Sequence, residues 1–267
     1  MIRPLILISN DDGITSPGLA AVAAALDPLG ELLIVAPASQ QTSMGRSRSQ
    51  QEGRDGKLWR TRVHYGSQSW DGVAANATPA LSVEHGIQEL ATRPVDLVVS
   101  GVNYGENVGT CVTVSGTVGA ALEAAERGIP AMAVSLEMEA SHYYEHDESV
   151  DFGAAMHFVH FFAARILGNS FPPDVDVLKI EIPASATPET DWVVTTQDKL
   201  SYYTPVMPKR GQLFGEQGRI THIVAKGEFS REGTDAHAMA KGIVSVTPLS
   251  LDLTSRTSLD KVRRLFD

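Results

Sequence analysis

The sequence predicts an α/β fold with a mostly parallel central sheet. Over the first 140 residues, apolar strand-like runs alternate with alanine-rich helix-like runs, a pattern typical of βαβ units. The strand-like runs are almost continuously apolar, as expected for parallel strands that are buried on both faces. The first of them ends in two adjacent carboxylates, Asp11 and Asp12. Because open α/β sheets bind ligands beyond the carboxyl ends of their strands, this pair marks a predicted functional site.

The elements of the first part of the chain are bounded by recognisable residues. Pro17 and Gly18 open the first helix, Pro37 ends the second strand, and Ser115 and Gly128 are the expected N-cap and C-terminal residues of a later helix. The predicted order is strand 5–9, helix 19–26, strand 31–37, helix 78–92, strand 95–101, helix 116–127, strand 129–135 and helix 152–167.

Residues 46–62 interrupt this alternation with a locally basic segment. It contains Arg46, Arg48, Arg54, Lys57, Arg60 and Arg62 but only two acidic residues, Glu52 and Asp55. We expect a solvated loop or hairpin here, and the alternative is a basic surface that steers an anionic substrate toward the site.

After residue 168 the pattern changes to short runs separated by prolines. Such runs predict strands and hairpins instead of βαβ units. Strands are expected within 175–182, 192–196 and 242–249, and a short helix at 258–266.

Composition excludes several classes of protein. The 267 residues carry a formal net charge of -10, which disfavours a nucleic-acid polymer or an anionic membrane as the partner. No apolar run approaches the roughly 18 residues that span a bilayer, and the chain enters a strand directly after its first residues, so we expect a cytoplasmic protein. The single cysteine, Cys111, is interpreted as a small buried apolar residue and not as a nucleophile.

Loops that follow consecutive parallel strands meet at one edge of a sheet. The loops 10–13, 38–45 and 101–109 and the helix start at Ser115 are therefore expected to converge. Their carboxylate, amide and hydroxyl oxygens suit Mg²⁺, Mn²⁺ or Ca²⁺. The helix start offers free backbone N–H groups to a phosphate, and a metal beside a phosphate indicates phosphoryl chemistry.

Each of these features also has a purely structural interpretation. Asp-Asp-Gly is often only a turn, Asn103 and Asn107 can be turn formers, and Ser115 can be a plain N-cap. Other motifs are missing or out of order: the chain lacks the dinucleotide, P-loop and nucleophile-elbow patterns, and His142 and His146 do not follow the zinc-peptidase order. The coincidence of oxygen donors at several strand ends is what favours a metal site.

The motifs taken together resemble the SurE (survival protein E) family of metal-dependent nucleotidases. The resemblance runs from Ile6 to about Ser135 and resumes at 233–235 and 244–249. It is carried by the segments 8–13, 16–18, 35–37, 100–107 and 115–118. The family's Gly-Thr-Pro-x-Asp-Cys segment is altered to Ala-Thr-Pro-Ala-Leu-Ser at 77–82, which leaves substrate preference open.

The resemblance implies a fold and an assembly. The chain is expected to be one SurE-like domain, 1–267, with a Rossmann-like three-layer core at 1–168 that contains the active site. Residues 169–267 are expected to form an oligomerisation part with an extended β-hairpin exchanged between subunits, followed by the final strand and helix. A homodimer or homotetramer follows from this expectation.

The resemblance also implies an activity and a set of site residues. Nucleoside 5'-monophosphates are the expected substrates, with 3'-monophosphates and short polyphosphate as further candidates. One divalent cation per subunit, Mg²⁺ or Mn²⁺, with Ca²⁺ as a substitute in a crystal, would bind Asp11, Asp12, Thr42 and Asn103. Thr42 aligns with the family's serine, and Ser43 is the reserve. The remaining contacts to phosphate are expected from Asn10, Asn107, Ser115, Gly116 and Thr117.

Two questions stay open: which carboxylate acts as the base, and whether the protein is catalytic. Either Asp11 or Asp12 could take the proton of an attacking water. A covalent phosphoenzyme is disfavoured because the second acid would be expected two positions after the first, where Gly13 stands. A non-catalytic module that holds a metal-bound nucleotide is the alternative from another functional class.

Overall fold

The computed structural model describes residues 2–50, 54–139, 142, 149–224 and 230–267, so His146 lies outside the described residues. The strands are β1 (Leu5–Ser9), β2 (Glu31–Pro37), β3 (Leu58–Tyr65), β4 (Gln68–Ala75), β5 (Leu97–Tyr104), β6 (Ala131–Leu136), β7 (Val177–Ile182), β8 (Trp192–Val194), β9 (Tyr203–Val206), β10 (Thr221–Val224) and β11 (Val244–Leu249). The helices are α1 (Pro17–Leu26), α2 (Pro79–His85), α3 (Gly116–Glu126), α4 (Gly153–Ile166), α5 (Asp235–Ala240) and α6 (Leu259–Arg263).

Most of these strands form one nine-stranded sheet within the described chain, in the order β3-β4-β2-β1-β5-β6-β7-β11-β8. The strands from β4 through β7 in that order run parallel to their neighbours. β3 pairs antiparallel with β4, and β11 pairs antiparallel with β7. The mostly parallel sheet predicted from the sequence is confirmed. Its parallel centre places the carboxyl ends of β1, β2 and β5 at one edge.

Helices cover both faces of this sheet because alternate strand residues point to opposite sides. Ile6 and Ile8 of β1 pack into the same core as α1 and α4. Leu5 and Leu7, on the other face, share a second core with residues of α2 and α3. The result is the expected three-layer arrangement, in which the central strands are buried from both sides.

Most predicted elements of the first half are present within a few residues of their expected ends. The helix expected at 78–92 is α2 followed by a π-helical turn at Gly86–Leu90, and one strand was not predicted. β4 lies inside the sheet, parallel to β2, although it contains Gly72 and Asp71, residue types that are depleted in strands. The hairpin of β3 and β4 confirms the hairpin expectation only for the last part of the basic segment 46–62.

The second half of the chain supplies a small separate sheet. β9 and β10 form an antiparallel hairpin, and the segment around it exposes apolar side chains such as Met207, Phe214 and Ile223. Subunit exchange of this hairpin remains a prediction. None of the helices described here is long and apolar enough to cross a membrane.

Candidate active site

The edge where β1, β2 and β5 end opens into a cleft of about 600 Å³. One wall of the cleft carries the oxygen-bearing residues predicted from the sequence: Asp11, Asp12, Thr42, Ser43, Asn103, Asn107 and Ser115. The convergence of separate strand-end loops is therefore observed, because parallel strands deliver their following loops to a common edge.

Asp11 is held by the start of α3. Its Oδ1 accepts a hydrogen bond from Thr117 Oγ1 at 2.5 Å, and the backbone N–H groups of Gly116 and Thr117 also donate to this carboxylate. A Cβ atom on Gly116 would lie 2.7 Å from Asp11 Oδ2, so the helix can approach this closely only with glycine. The N–H groups expected to hold phosphate thus bind Asp11, and these two residues are not among the described residues that line the cleft.

Asp12 is buried beside Asp11 and is bound by neutral donors. Its Oδ1 accepts from Gln40 Nε2 and its Oδ2 from the backbone N–H of Tyr104, both at 3.2 Å. Burial raises the pKa of Asp11 to about 6, although the hydrogen bond from Thr117 opposes the rise. Burial, and secondarily the charge of Asp11, raises the pKa of Asp12 well above its ordinary value. A bound cation would offset both effects.

Asn10 has a structural role in the loop. Its Oδ1 accepts from the Gly13 backbone N–H at 3.1 Å, and its Nδ2 donates to the Gly13 carbonyl at 3.0 Å. These paired bonds close a tight turn, and Gly13 adopts a φ of 101° that favours glycine. Asn10 is buried and is not among the described residues that line the cleft, so its hydrogen bonds support the loop of the carboxylates, and its role toward phosphate stays a prediction.

Thr42 and Ser43 both line the cleft, and the structure does not choose between them as a ligand. Their loop is tied to the loop after β1 because the Gln41 N–H donates to the carbonyl of Asp11 at 2.6 Å. Ser43 has a φ of 63°, an uncommon conformation for a residue other than glycine.

The two asparagines of the loop after β5 have different surroundings. Asn103 donates through Nδ2 to the Gly105 carbonyl at 2.6 Å, which fixes its amide at the cleft wall. Asn107 donates through Nδ2 to Ser135 Oγ at 3.0 Å, and its backbone N–H donates to Glu181 Oε2 at 2.8 Å. Asn107 is therefore fixed by two buried side chains and also lines the cleft.

Ser115 serves α3 and the cleft together. Its Oγ accepts from the Val118 N–H at 3.1 Å, as expected for an N-cap. A serine hydroxyl that accepts one hydrogen bond can still donate its own proton, so Ser115 is suited to bind a phosphate oxygen from the cleft wall.

The opposite wall of the cleft was not predicted. It is formed largely by the hairpin of β9 and β10 and by the segment after β5, and includes Glu106, Thr110, Cys111, Val114, Ser201, Tyr203, Arg219, Ile220, Thr221, His222 and Val224. Within this wall Tyr203 joins the hairpin to the loop after β5, because its hydroxyl donates to the Glu106 carbonyl at 2.9 Å. Cys111 is only partly buried here, and burial raises the pKa of its thiol.

The residues present fit a hard divalent cation. In the described part of the chain, no three His, Cys, Asp or Glu side chains come together as a metal site. A cation in this cleft would therefore bind two carboxylates together with neutral hydroxyl and amide oxygens. Such a set suits Mg²⁺ or Mn²⁺ and lacks the nitrogen and sulphur ligands that are typical of zinc.

Comparisons with known proteins agree with this architecture. Residues 6–204 match the family model described as Survival protein SurE. A 5'-nucleotidase SurE from Methanocella arvoryzae is 42% identical over 269 residues, covering 97% of each chain. The protein of the same name from Archaeoglobus fulgidus is 38% identical over 273 residues, covering 98% of this chain and 97% of its own. The crystal structure of the SurE protein from Aquifex aeolicus superposes with a TM-score of 0.76 at 31% identity, covering 99% of this chain and all of the other. This chain belongs to the SurE family.

Proposed function

We propose that the protein is a divalent-metal-dependent phosphomonoesterase that hydrolyses nucleoside 5'-monophosphates to nucleoside and phosphate. The observation that carries the proposal is the buried pair Asp11 and Asp12 on one cleft wall with Thr42 and Asn103. Similarity supports it, because full-length relatives at 35% to 42% identity are named 5'-nucleotidase SurE.

The metal-binding residues are proposed to be Asp11, Asp12, Asn103 and Thr42, with Ser43 in place of Thr42 as the alternative. They would hold one Mg²⁺ or Mn²⁺ per subunit. When bound, such a cation neutralises charge on the phosphate and makes a water molecule more acidic.

Other residues around the proposed metal site would orient the phosphate and the water. Ser115 and Asn107 line the cleft, and the Ser115 hydroxyl and the Asn107 side-chain amide are proposed to bind phosphate oxygens. Gly116 and Thr117 act one step further back by fixing Asp11. A carboxylate of the Asp11–Asp12 pair accepts the proton of the attacking water, and Gly13 leaves no second acid for an aspartyl-phosphate mechanism.

The second cleft wall supports a nucleotide as the substrate. A phosphate group alone occupies only a small part of a cleft of about 600 Å³. Tyr203 and His222 present aromatic rings in an edge-to-face pair 6.4 Å apart, and Ile220 adds apolar surface. A planar base and its ribose match such a surface. 3'-Monophosphates and short polyphosphate are further candidates that share the phosphate end.

The test is phosphate release from AMP with added Mn²⁺, compared with EDTA-treated protein and with Asp12→Asn. We expect activity only in the metal-loaded wild type. Full activity of Asp12→Asn or of the EDTA-treated protein would disprove the metal mechanism. Stabilisation by nucleotide without turnover would show a binding module instead.

We also propose a cytoplasmic homodimer or homotetramer assembled through the β9–β10 hairpin. The support is the exposed apolar side chains around the hairpin, which an isolated chain would leave in water. Light scattering on the purified full-length chain tests the oligomeric state, and a monomer at micromolar concentration would contradict it.

A further inference from the structure

The loop that carries Thr42 and Ser43 is fastened to α3 by charged groups. Arg46 Nε donates to Glu123 Oε2 at 2.7 Å, and Arg48 Nε donates to Glu123 Oε1 at 2.8 Å. The side chain of Glu123 is fully buried, whereas those of Arg46 and Arg48 are 28% and 45% exposed. Since a buried carboxylate has lost its water, these two guanidinium groups replace that water together with a hydrogen bond to Glu84.

The backbone of the same loop lies directly against α3. The Gly45 N–H donates to the Val114 carbonyl at 2.9 Å. A Cβ atom on Gly119 would lie 2.2 Å from the Gly45 carbonyl oxygen, so this contact requires glycine in the helix. Just beyond, Thr78 Oγ1 donates to the Ser47 carbonyl at 2.5 Å and fastens the far end of the loop.

Helix α3 therefore contacts both halves of the proposed metal site. Its first residues hold the carboxylate of Asp11, and Glu123, about two turns later, holds the loop that carries the hydroxyl ligand. The helix is one rigid element, so it fixes the distance between these two halves.

We propose that Glu123, together with Arg46 and Arg48, is a positioning group that sets the hydroxyl of Thr42 or Ser43 relative to the Asp11–Asp12 pair for binding a divalent cation. This inference rests on the proposed function, because it takes the cation as resident. Glu123 and the two arginines are not among the described residues that line the cleft, so they act through the loop and not on substrate. Both arginines are paired with acidic residues of α3, and substrate steering by residues 46–62 stays a prediction.

The chain offers a matched control in the same group of charges. Arg127 donates to Glu84 Oε1 from Nε at 2.9 Å and from Nη2 at 2.7 Å. Glu84 also lies 3.9 Å from Arg48, so Arg127 belongs to the same ionic network. Its described hydrogen bonds do not reach the loop. Arg127→Met thus removes a comparable partly exposed ion pair without removing the contact between Glu123 and the loop.

The experiment is a calorimetric titration of the metal-free, full-length protein with Mn²⁺. For Arg46→Met and Glu123→Gln we expect a Kd about tenfold or more above wild type, the scale typical of groups that orient a metal ligand. Arg127→Met should stay within about twofold, and Arg46→Lys, which keeps the charge, should recover part of the affinity. At saturating Mn²⁺ the kcat for AMP should return to near the wild-type value.

Three outcomes would overturn the proposal. One is an unchanged Mn²⁺ Kd in Arg46→Met and Glu123→Gln, and another is an equal loss in Arg127→Met, which would show only general destabilisation. The third is a kcat that saturating Mn²⁺ does not restore. If Glu123→Gln fails to fold, Arg46→Met and Arg48→Met, each expected to raise the Mn²⁺ Kd about tenfold, still decide the question.

Asp12→Asn in the same titration separates this proposal from the proposed function. If Asp12→Asn binds Mn²⁺ as well as wild type, the metal site itself is wrong. If Asp12→Asn loses Mn²⁺ binding while Arg46→Met retains it, only the positioning role of the Glu123 cluster fails.

Discussion

Asp11 and Asp12 are two acidic groups that the fold shields almost completely from water. Burying their charges lowers the free energy of unfolding of the protein. Both side chains are buried, and the described hydrogen bonds to them come from neutral donors. The rise in the pKa of Asp11 to about 6 and the upward shift in the pKa of Asp12 express this cost. Functional sites often keep such destabilising arrangements because the ligand compensates for them.

Asp11→Asn should change stability in opposite directions with and without metal. A folded-state pKa above the unfolded value means that wild-type stability falls as pH rises from about 4 to above 6. In metal-free protein at pH 8, Asn should therefore raise the free energy of unfolding, on the order of 1 to 3 kcal/mol. With Mn²⁺, wild type should gain stability and the variant should not. Thermal unfolding with and without Mn²⁺ measures both effects, and a variant less stable than wild type in EDTA would contradict the argument.

Glu181, a buried neighbour of Asn107, makes a second pH-dependent contribution to the free energy of unfolding. Its side chain is fully buried, 3.6 Å from Lys179 Nζ, which in turn donates to Asp235 at 2.9 Å. Burial raises the pKa of Glu181 to about 7, although the charge of Lys179 opposes the rise. Because the folded state then binds the proton more tightly than the unfolded state, wild-type stability falls as pH rises between about 4.5 and 7.

Glu181→Gln should remove this slope. Relative to wild type, the variant should become more stable as pH increases from 5 to 8, because Gln carries no charge to desolvate. Urea unfolding at pH 5, 6 and 8 measures the difference. Parallel pH curves for the two proteins would show that Glu181 does not titrate in this range.

At the scale of elements, α3 organises the site through its closest contacts. Its first residue, Gly116, allows the helix to reach Asp11, and its fourth residue, Gly119, meets the Thr42 loop at Gly45. The free N–H groups of a helix start normally favour an anion. Here the anion that occupies them is a side chain of the protein, the carboxylate of Asp11.

Gly116→Ala should therefore weaken metal binding more than it weakens the fold. The added Cβ would lie 2.7 Å from Asp11 Cβ and Oδ2, so either Asp11 or the start of α3 must shift. We expect at least a tenfold loss in Mn²⁺ affinity, as for other groups that orient a ligand. Gly168→Ala is the control, because its Cβ would have no neighbour closer than 3.8 Å. Equal Mn²⁺ affinities in the two variants would contradict this account.

The sequence predicts the elements that have strong local signals. Local sequence alone predicts the apolar run of β1 before Asp11, the end of β2 at its proline and the N-cap at Ser115. The structure has all three. β4 could not be predicted from the sequence because Gly72 interrupts its apolar pattern. The sequence also could not predict which group accepts hydrogen bonds from the Gly116 and Thr117 N–H groups. A phosphate and the carboxylate of Asp11 are equally suitable anions for a helix start.

At the scale of the whole molecule, the two halves of the chain build one sheet and one cleft. The expected division near residue 168 falls between α4 and β7, but β7, β11 and β8 continue the sheet begun by the first half. The β9–β10 hairpin then returns to the edge where β1 and β5 end. Its contribution to the cleft could not be predicted, because Tyr203 and Glu106 are distant in sequence and come into contact only in the fold.

Because the two halves of the chain supply different walls of the cleft, we expect substitutions in the hairpin to change substrate selectivity without removing phosphate hydrolysis. The first half supplies the carboxylates, while Tyr203 of the second half supplies a ring at the opposite wall. Tyr203→Ala should lower kcat/KM for AMP by about tenfold or more, because stacking of a base on an aromatic ring contributes about 1 to 3 kcal/mol. Hydrolysis of glycerol phosphate, which has no base, should change much less.

Tyr203→Phe separates the ring from the hydroxyl, which donates to the Glu106 carbonyl at 2.9 Å. If the ring binds the base, Phe should retain most of the preference for AMP over glycerol phosphate. If the hydroxyl matters instead, because it joins the hairpin to the loop after β5, Phe and Ala should impair both substrates alike. Steady-state kinetics with the two substrates, at saturating Mn²⁺, therefore decides whether the hairpin recognises the nucleoside or only closes the cleft.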